Sequence, residues 1–98
     1  MNTLPRHWKI LSEEESLKFS DELQKEVSEA HSLYRAPARA IARHEKLDDF
    51  LFETTSSVAP YVVVHLTWQK ESSPKWPATV AFSSLEDFER NGYERLYE

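Results

Sequence analysis

A chain of 98 residues has room for one domain and one modest core, and 40% hydrophobic with 30% charged residues is a globular composition, not a disordered one. The lack of cysteine excludes disulfides, thiolate metal sites and a cysteine nucleophile, and the single glycine excludes glycine-rich phosphate loops and dinucleotide fingerprints. A net charge of −5 argues against generic binding to nucleic acid or an anionic membrane, which needs a positive field, and is compatible with a basic partner.

The first fifteen residues carry no apolar run behind their basic residues, so a secretory signal is not expected there. The longest strongly apolar run, Tyr61–Val64, is far short of the roughly 20 residues of a membrane helix. The expectation is a cytoplasmic protein with no membrane partner, folded as a single domain over 1–98.

Residues 1–11 read as an arm that Trp8, Ile10 and Leu11 can fold back onto the body. Ser12 followed by Glu13, Glu14 and Glu15 is a capping-box signal, and three acids suit the positive end of a helix. Phe19, Leu23, Val27 and Ala30 then recur on one helical face, widened by Leu17 and His31, which predicts a helix from about 13 to 31. An exit loop follows over Ser32–Pro37, because Pro37 pushes Ala36 out of helical geometry.

Ala38–His44 reads as strand or helix, since alanine favours one and alternation the other. The proline before it and its short length favour strand, with Arg39, Ile41 and Arg43 on one face and the alanines and His44 on the other. After a turn at Glu45–Asp48, Asp49–Thr54 is a second strand. The strongest strand is Tyr61–Trp68, with Val62, Val64, Leu66 and Trp68 forming an apolar face and Tyr61, Val63, His65 and Thr67 a mixed one.

Gln69–Pro77 is a loop, and Ala78–Phe82 an edge strand. Ser83 with Glu86 repeats the capping signal and opens a short helix carrying Leu85 and Phe88, which Asn91-Gly92 is expected to stop. Tyr93, Leu96 and Tyr97 form a docking tail. The fold class is therefore α+β: an N-terminal helix packed on an antiparallel meander of three or four strands, then a short C-terminal helix.

Three constellations carry chemistry. His65 lies mid-strand on the mixed face, where histidine serves as general base or ligand, though most such rings are simply paired. Asp48 and Asp49 follow His44 and Glu45, but H-E-x-x-D at a turn is not a helical zinc pattern, and aspartates commonly shape turns, so no metal or cofactor is expected. Arg39 and Arg43, about 13 Å apart on one strand face, could clamp an anion or pair with acids on the next strand.

The loop Trp68–Pro77 is the most distinctive surface segment, because tryptophan anchors interfaces. Trp76 there either anchors a partner or folds back over the edge of the core.

The run Tyr61-Val62-Val63-Val64-His65-Leu66-Thr67-Trp68, then Glu71, then Pro74-Lys75-Trp76-Pro77, resembles the signature of a family of small bacterial proteins without an assigned activity. The similar pattern includes a capped helix ending near His31-Ser32-Leu33-Tyr34, an Ala-Arg strand and the Asp48-Asp49 pair, and it spans most of residues 15–88. The resemblance implies a bacterial cytoplasmic setting and carries no activity with it.

Two functions compete on these residues. The leading one is a non-enzymatic, inhibitor-like or immunity-like domain that binds a protein, itself basic, through Trp68, Glu71, Lys75 and Trp76 with Asp48 and Asp49 nearby. The other is a small enzyme or an anion- or metal-binding domain, with His65 as base, Asp48 or Asp49 orienting it and Arg39 or Arg43 as clamp. A homodimer through a strand edge is compatible with both.

Overall fold

The computed structural model describes residues 4–56 and 59–97, with 93–97 described by their backbone alone. Five strands, β1 (Trp8–Ile10), β2 (Ala38–His44), β3 (Asp49–Thr54), β4 (Tyr61–His65) and β5 (Ala78–Phe82), form one antiparallel sheet in the order β1-β2-β3-β4-β5. Helix α1 (Glu13–Glu26) and helix α2 (Leu85–Tyr97) complete the chain.

The arm contributes the fifth strand. Trp8 pairs with His44 and Ile10 with Ala42, while Trp8 and Leu11 are buried and Ile10 stays exposed. Three residues are too few to show strand periodicity in a sequence, so only pairing with β2 defines β1.

Helix α1 starts where expected. Glu15 N–H donates to Ser12 Oγ at 3.1 Å and Ser12 N–H to Glu15 Oε1 at 3.0 Å, closing the capping box. The expected run to residue 31 is corrected to an end at Glu26, with Val27 already extended at ψ 135. The carbonyl of Glu26 accepts the N–H of Glu71 from a distant loop at 2.8 Å instead of one from the next helical turn.

Tight turns then run to Ala36, and the Gln24 side chain organises them. It accepts Arg35 N–H at 3.0 Å and donates to the carbonyls of Leu33 and Ala36. Phe19, Leu23, Val27 and His31 are buried as the stripe predicted, whereas Leu17 and Ala30 are exposed.

Ala38–His44 is a strand, but it does not alternate throughout. A β-bulge between Ala40 and Ala42 shifts the register: Arg39 faces Glu53 and Ala40 faces Phe52, whereas Ala42 faces Leu51 and Arg43 faces Phe50. The extra residue re-aims every side chain after it. Ala38 and Ala40 therefore pack under α1, while Ala42 joins the core on the opposite face. Ser20 Oγ accepts Ala40 N–H at 3.0 Å and Ser16 Oγ donates to Ala40 C=O, so α1 satisfies the backbone at the bulge.

Both faces of the sheet are cores. Beneath α1, Phe19, Leu23 and Val27 meet Phe50, Phe52, Val62, Val64 and Leu66. On the other face Phe88 of α2 meets Trp8, Leu51, Val63 and Phe82. The helices thus sandwich the sheet in three layers, where the sequence led us to expect one covered face. Burial on both sides explains why β3 and β4 read as nearly continuous apolar runs.

The second helix starts one residue later than the capping signal predicts, without the reciprocal bond of a full capping box. Asp87 N–H donates to Ser84 Oγ at 2.9 Å, so Ser84 takes the capping role expected of Ser83, while Asp87 Oδ2 accepts the N–H of Ser83, the residue before the cap, at 3.0 Å. Gly92 does not stop the helix. It lies inside α2, where an added Cβ would stand 3.1 Å from Phe88 Cδ1, so the missing side chain makes room for the ring. The docking tail expected of Tyr93, Leu96 and Tyr97 lies on side chains outside those described.

Candidate functional site

The most elaborate local structure is the loop leaving β4. The strand expected to run to Trp68 ends at His65. Leu66 is still buried, its N–H donating to Asp48 C=O at 3.0 Å, and the chain then turns onto the fully buried carboxylate of Glu26. Glu26 Oε1 accepts Thr67 N–H at 2.8 Å and Thr67 Oγ at 3.1 Å, and Oε2 accepts Trp68 N–H at 2.8 Å.

Glu71 N–H adds its bond to the Glu26 carbonyl. At the far end His31 Nδ1 accepts Leu33 N–H at 3.0 Å, so the neutral ring carries its proton on Nε2, which donates to Pro77 C=O at 2.9 Å. Glu26, the last residue of α1, and His31, in the turns that follow it, thereby hold both ends of the loop.

Trp68 does not complete the apolar face of β4. Its backbone is left-handed at φ 61, and its side chain is 47% exposed. An indole in that region costs about 1–3 kcal/mol, which its bond to Glu26 helps to offset. The ring stands edge-on to Phe19 at 6.0 Å and Phe50 at 5.9 Å, and Arg43 lies over the same two phenyl rings at 5.3 and 4.8 Å.

Trp76 is also 47% exposed and precedes a cis bond to the buried Pro77. Between the tryptophans, Glu71 Oε2 accepts from Gln69 Nε2 at 3.0 Å and Lys75 N–H donates to Ser73 Oγ at 3.2 Å.

A titratable contact sits under this loop. Glu22, one turn before Glu26, shares a hydrogen bond with it. That bond, partial burial and the charge of Glu26 together push the Glu22 carboxyl from 4.5 to about 7. A folded value above the unfolded one means that the folded chain keeps a proton the unfolded chain releases. Stability therefore falls as pH rises from 4.5 to about 7.

Burial lowers His44 from 6.5, and its contribution has the opposite sign, being lost as pH falls below 6.5. The Glu22 effect is isolated by difference. Glu22→Gln keeps a donor toward Glu26, and it is expected to raise the melting temperature at pH 8 and leave it nearly unchanged at pH 4.5. Equal shifts at both pH values would contradict the shared proton.

The histidine of the sequence argument lies on the other sheet face. His65 and Asp49 are register partners across β3 and β4, and His65 Nδ1 lies 2.7 Å from Asp49 Oδ1. Of the expected partners Asp49 orients His65. The Asp48 side chain is exposed, and its backbone carbonyl ties down Leu66.

The expected clamp does not form. The bulge sends Arg43 to the α1 face, over Phe19 and Phe50, and leaves Arg39 opposite Glu53. Among the described residues no group of three or more acidic or histidine side chains could hold a metal ion.

Two contributors carry no mark of their role in an ordinary reading of the sequence. Glu26 falls on the apolar stripe of α1, three residues after Leu23, and an acid on a buried stripe is the signal that would have found it. His31 was assigned to the stripe but not to the loop. His44, which the sequence sets beside Asp48 and Asp49, does join the row of Asp49 and His65, because the bulge re-aims it.

No described helix is long and apolar enough to cross a membrane. No protein-family model, curated protein or solved structure matches this chain.

Proposed function

We propose that the chain is a non-enzymatic protein-binding domain whose anchor is the Trp68–Pro77 loop, in a bacterial cytoplasmic setting. One observation carries this reading: two half-exposed tryptophans stand on a loop tied down by Glu26 at the end of α1 and by His31 in the turns after it. Exposed indoles are the side chains that most often dominate interface energetics, and a loop already ordered gives up less entropy on binding. Strain at Trp68, maintained by a buried carboxylate, is the kind of feature that persists where function demands it.

The partner is a basic protein. A net charge of −5 speeds encounter with such a surface, and Glu71 and Lys75 set register at the rim. This is the mode of an inhibitor or immunity-type protein.

The test is affinity capture from extracts of the native host, with wild type and the Trp68→Ala/Trp76→Ala variant compared at equal thermal stability. A basic protein held by the wild type should be lost from the variant, with affinity reduced about 30-fold or more, as for a hot spot of 2 kcal/mol. Retention at unchanged affinity would remove the loop from the interface.

A further inference from the structure

The Asp49–His65 pair lies on the face of the sheet turned away from the tryptophan loop, so its chemistry is not absorbed by the binding reading. Three register relations build it. Asp49 faces His65, His65 faces Ala78, and Val63, two residues back on the same face, faces Val80. These five side chains line a recess of about 240 Å3. The Asp49 side chain is 11% exposed and that of His65 50% exposed, so the acid is at the floor and the ring at the rim.

A carboxylate only accepts, so the proton of neutral His65 is on Nδ1, pointing at Asp49, and Nε2 is the acceptor. His44 occupies the next position of the same row. Its Nδ1 accepts the N–H groups of Lys46 at 3.0 Å and Leu47 at 3.1 Å, and burial favours its neutral form. Other charged groups around the row are His7, Glu45 and Lys46 near His44, and Asp48 at the start of β3.

We propose that this recess binds a small neutral molecule of phenol type, whose hydroxyl donates to His65 Nε2 while its ring lies on Val63, Ala78 and Val80. The walls are apolar apart from the two polar side chains, which suits one ring with one donor. Asp48 and Asp49 disfavour an anion, so a carboxylic acid ionised at neutral pH is rejected where a phenol is accepted. Asp49 is a positioning residue: it fixes the tautomer that makes Nε2 an acceptor.

The experiment is an NMR titration at pH 7.5 with p-cresol, toluene and benzoate, following the methyl signals of Val63, Ala78 and Val80 and the ring nitrogens of His65. p-Cresol should give saturable shifts at all four residues. Toluene should bind about fivefold more weakly, the worth of one neutral hydrogen bond, and benzoate should not bind. His65→Gln should remove the advantage of p-cresol over toluene. Asp49→Asn should shift the His65 nitrogen signals toward the other tautomer and weaken p-cresol. Trp68→Ala/Trp76→Ala should leave p-cresol binding unchanged, which separates this site from the protein-binding loop. Equal affinity for p-cresol and toluene in the wild type, or no saturable shift, overturns the proposal.

Discussion

Glu26→Ala is expected to destabilise the protein by about 2–4 kcal/mol, because it strands the N–H groups of Thr67 and Trp68 at a part-buried turn. The third donor is less exposed to the loss, since Thr67 Oγ also reaches Gln69 C=O at 3.4 Å. Hydrogen bonds to a charged acceptor contribute about 1.5–3 kcal/mol each, and orphaned donors cost about as much. Urea denaturation gives the value directly.

Three accompanying outcomes make the result specific. Glu26→Gln retains one acceptor oxygen and should lose about half as much. Amide exchange at Trp68 should accelerate in Glu26→Ala. The Glu22 carboxyl should return toward 4.5, because both its hydrogen bond and its nearest like charge are gone. A loss below about 0.5 kcal/mol would mean that Glu26 does not anchor the loop. If the protein-binding reading holds, the folded fraction of this variant also loses its partner, since Trp68 is no longer held in its left-handed conformation.

Phe88→Ala should cost about 3–5 kcal/mol, the range for removing a buried aromatic ring. Phe88 is fully buried and stands edge-on to Trp8 at 5.0 Å and Phe82 at 5.3 Å. It therefore joins α2 to both edges of the sheet. Gly92 cannot compensate, because it contributes no side chain to the space beside that ring.

A domain of this size holds only about 5–15 kcal/mol in total, so the variant should be marginal at 37 °C. Hydrogen exchange should show the β1 amides losing protection first, while β3 and β4, covered on their other face by α1, stay protected. Uniform loss across the sheet would mean that α2 and β1 are not a separable layer.

Much of the fold was legible along the chain because the signals are local. Ser12 with Glu15 starts a helix by satisfying orphan N–H groups within three residues of each other, so no distant residue is needed. The strands at Asp49–Thr54 and Ala78–Phe82, and the one that begins at Tyr61, declare themselves through β-branched and aromatic runs bounded by turns, although the last ends at His65 and not at Trp68. The end of α1 was not legible: the stripe continues to His31 because those residues are buried, and burial outlasts the helix that periodicity implies.

His65 with Asp49 was readable as a candidate, and as register partners they do meet. Arg39 and Arg43 looked equally good and do not. A one-residue bulge has no sequence signature in an alternation of alanine and arginine, yet it reverses which face each later residue occupies.

What this sequence determined by itself was a small cysteine-free α+β domain with a capped first helix, an antiparallel meander and a tryptophan-bearing loop. Those properties follow from composition and from interactions within a few residues. Tertiary structure alone decided three things: that both faces of the sheet are cores, that a buried acid at position 26 holds a loop 41 residues away, and that a bulge parts Arg39 from Arg43 while His65 meets Asp49 across strands. Each depends on groups far apart in the chain, where the free energy of contact is decided by packing and register, which no local pattern encodes.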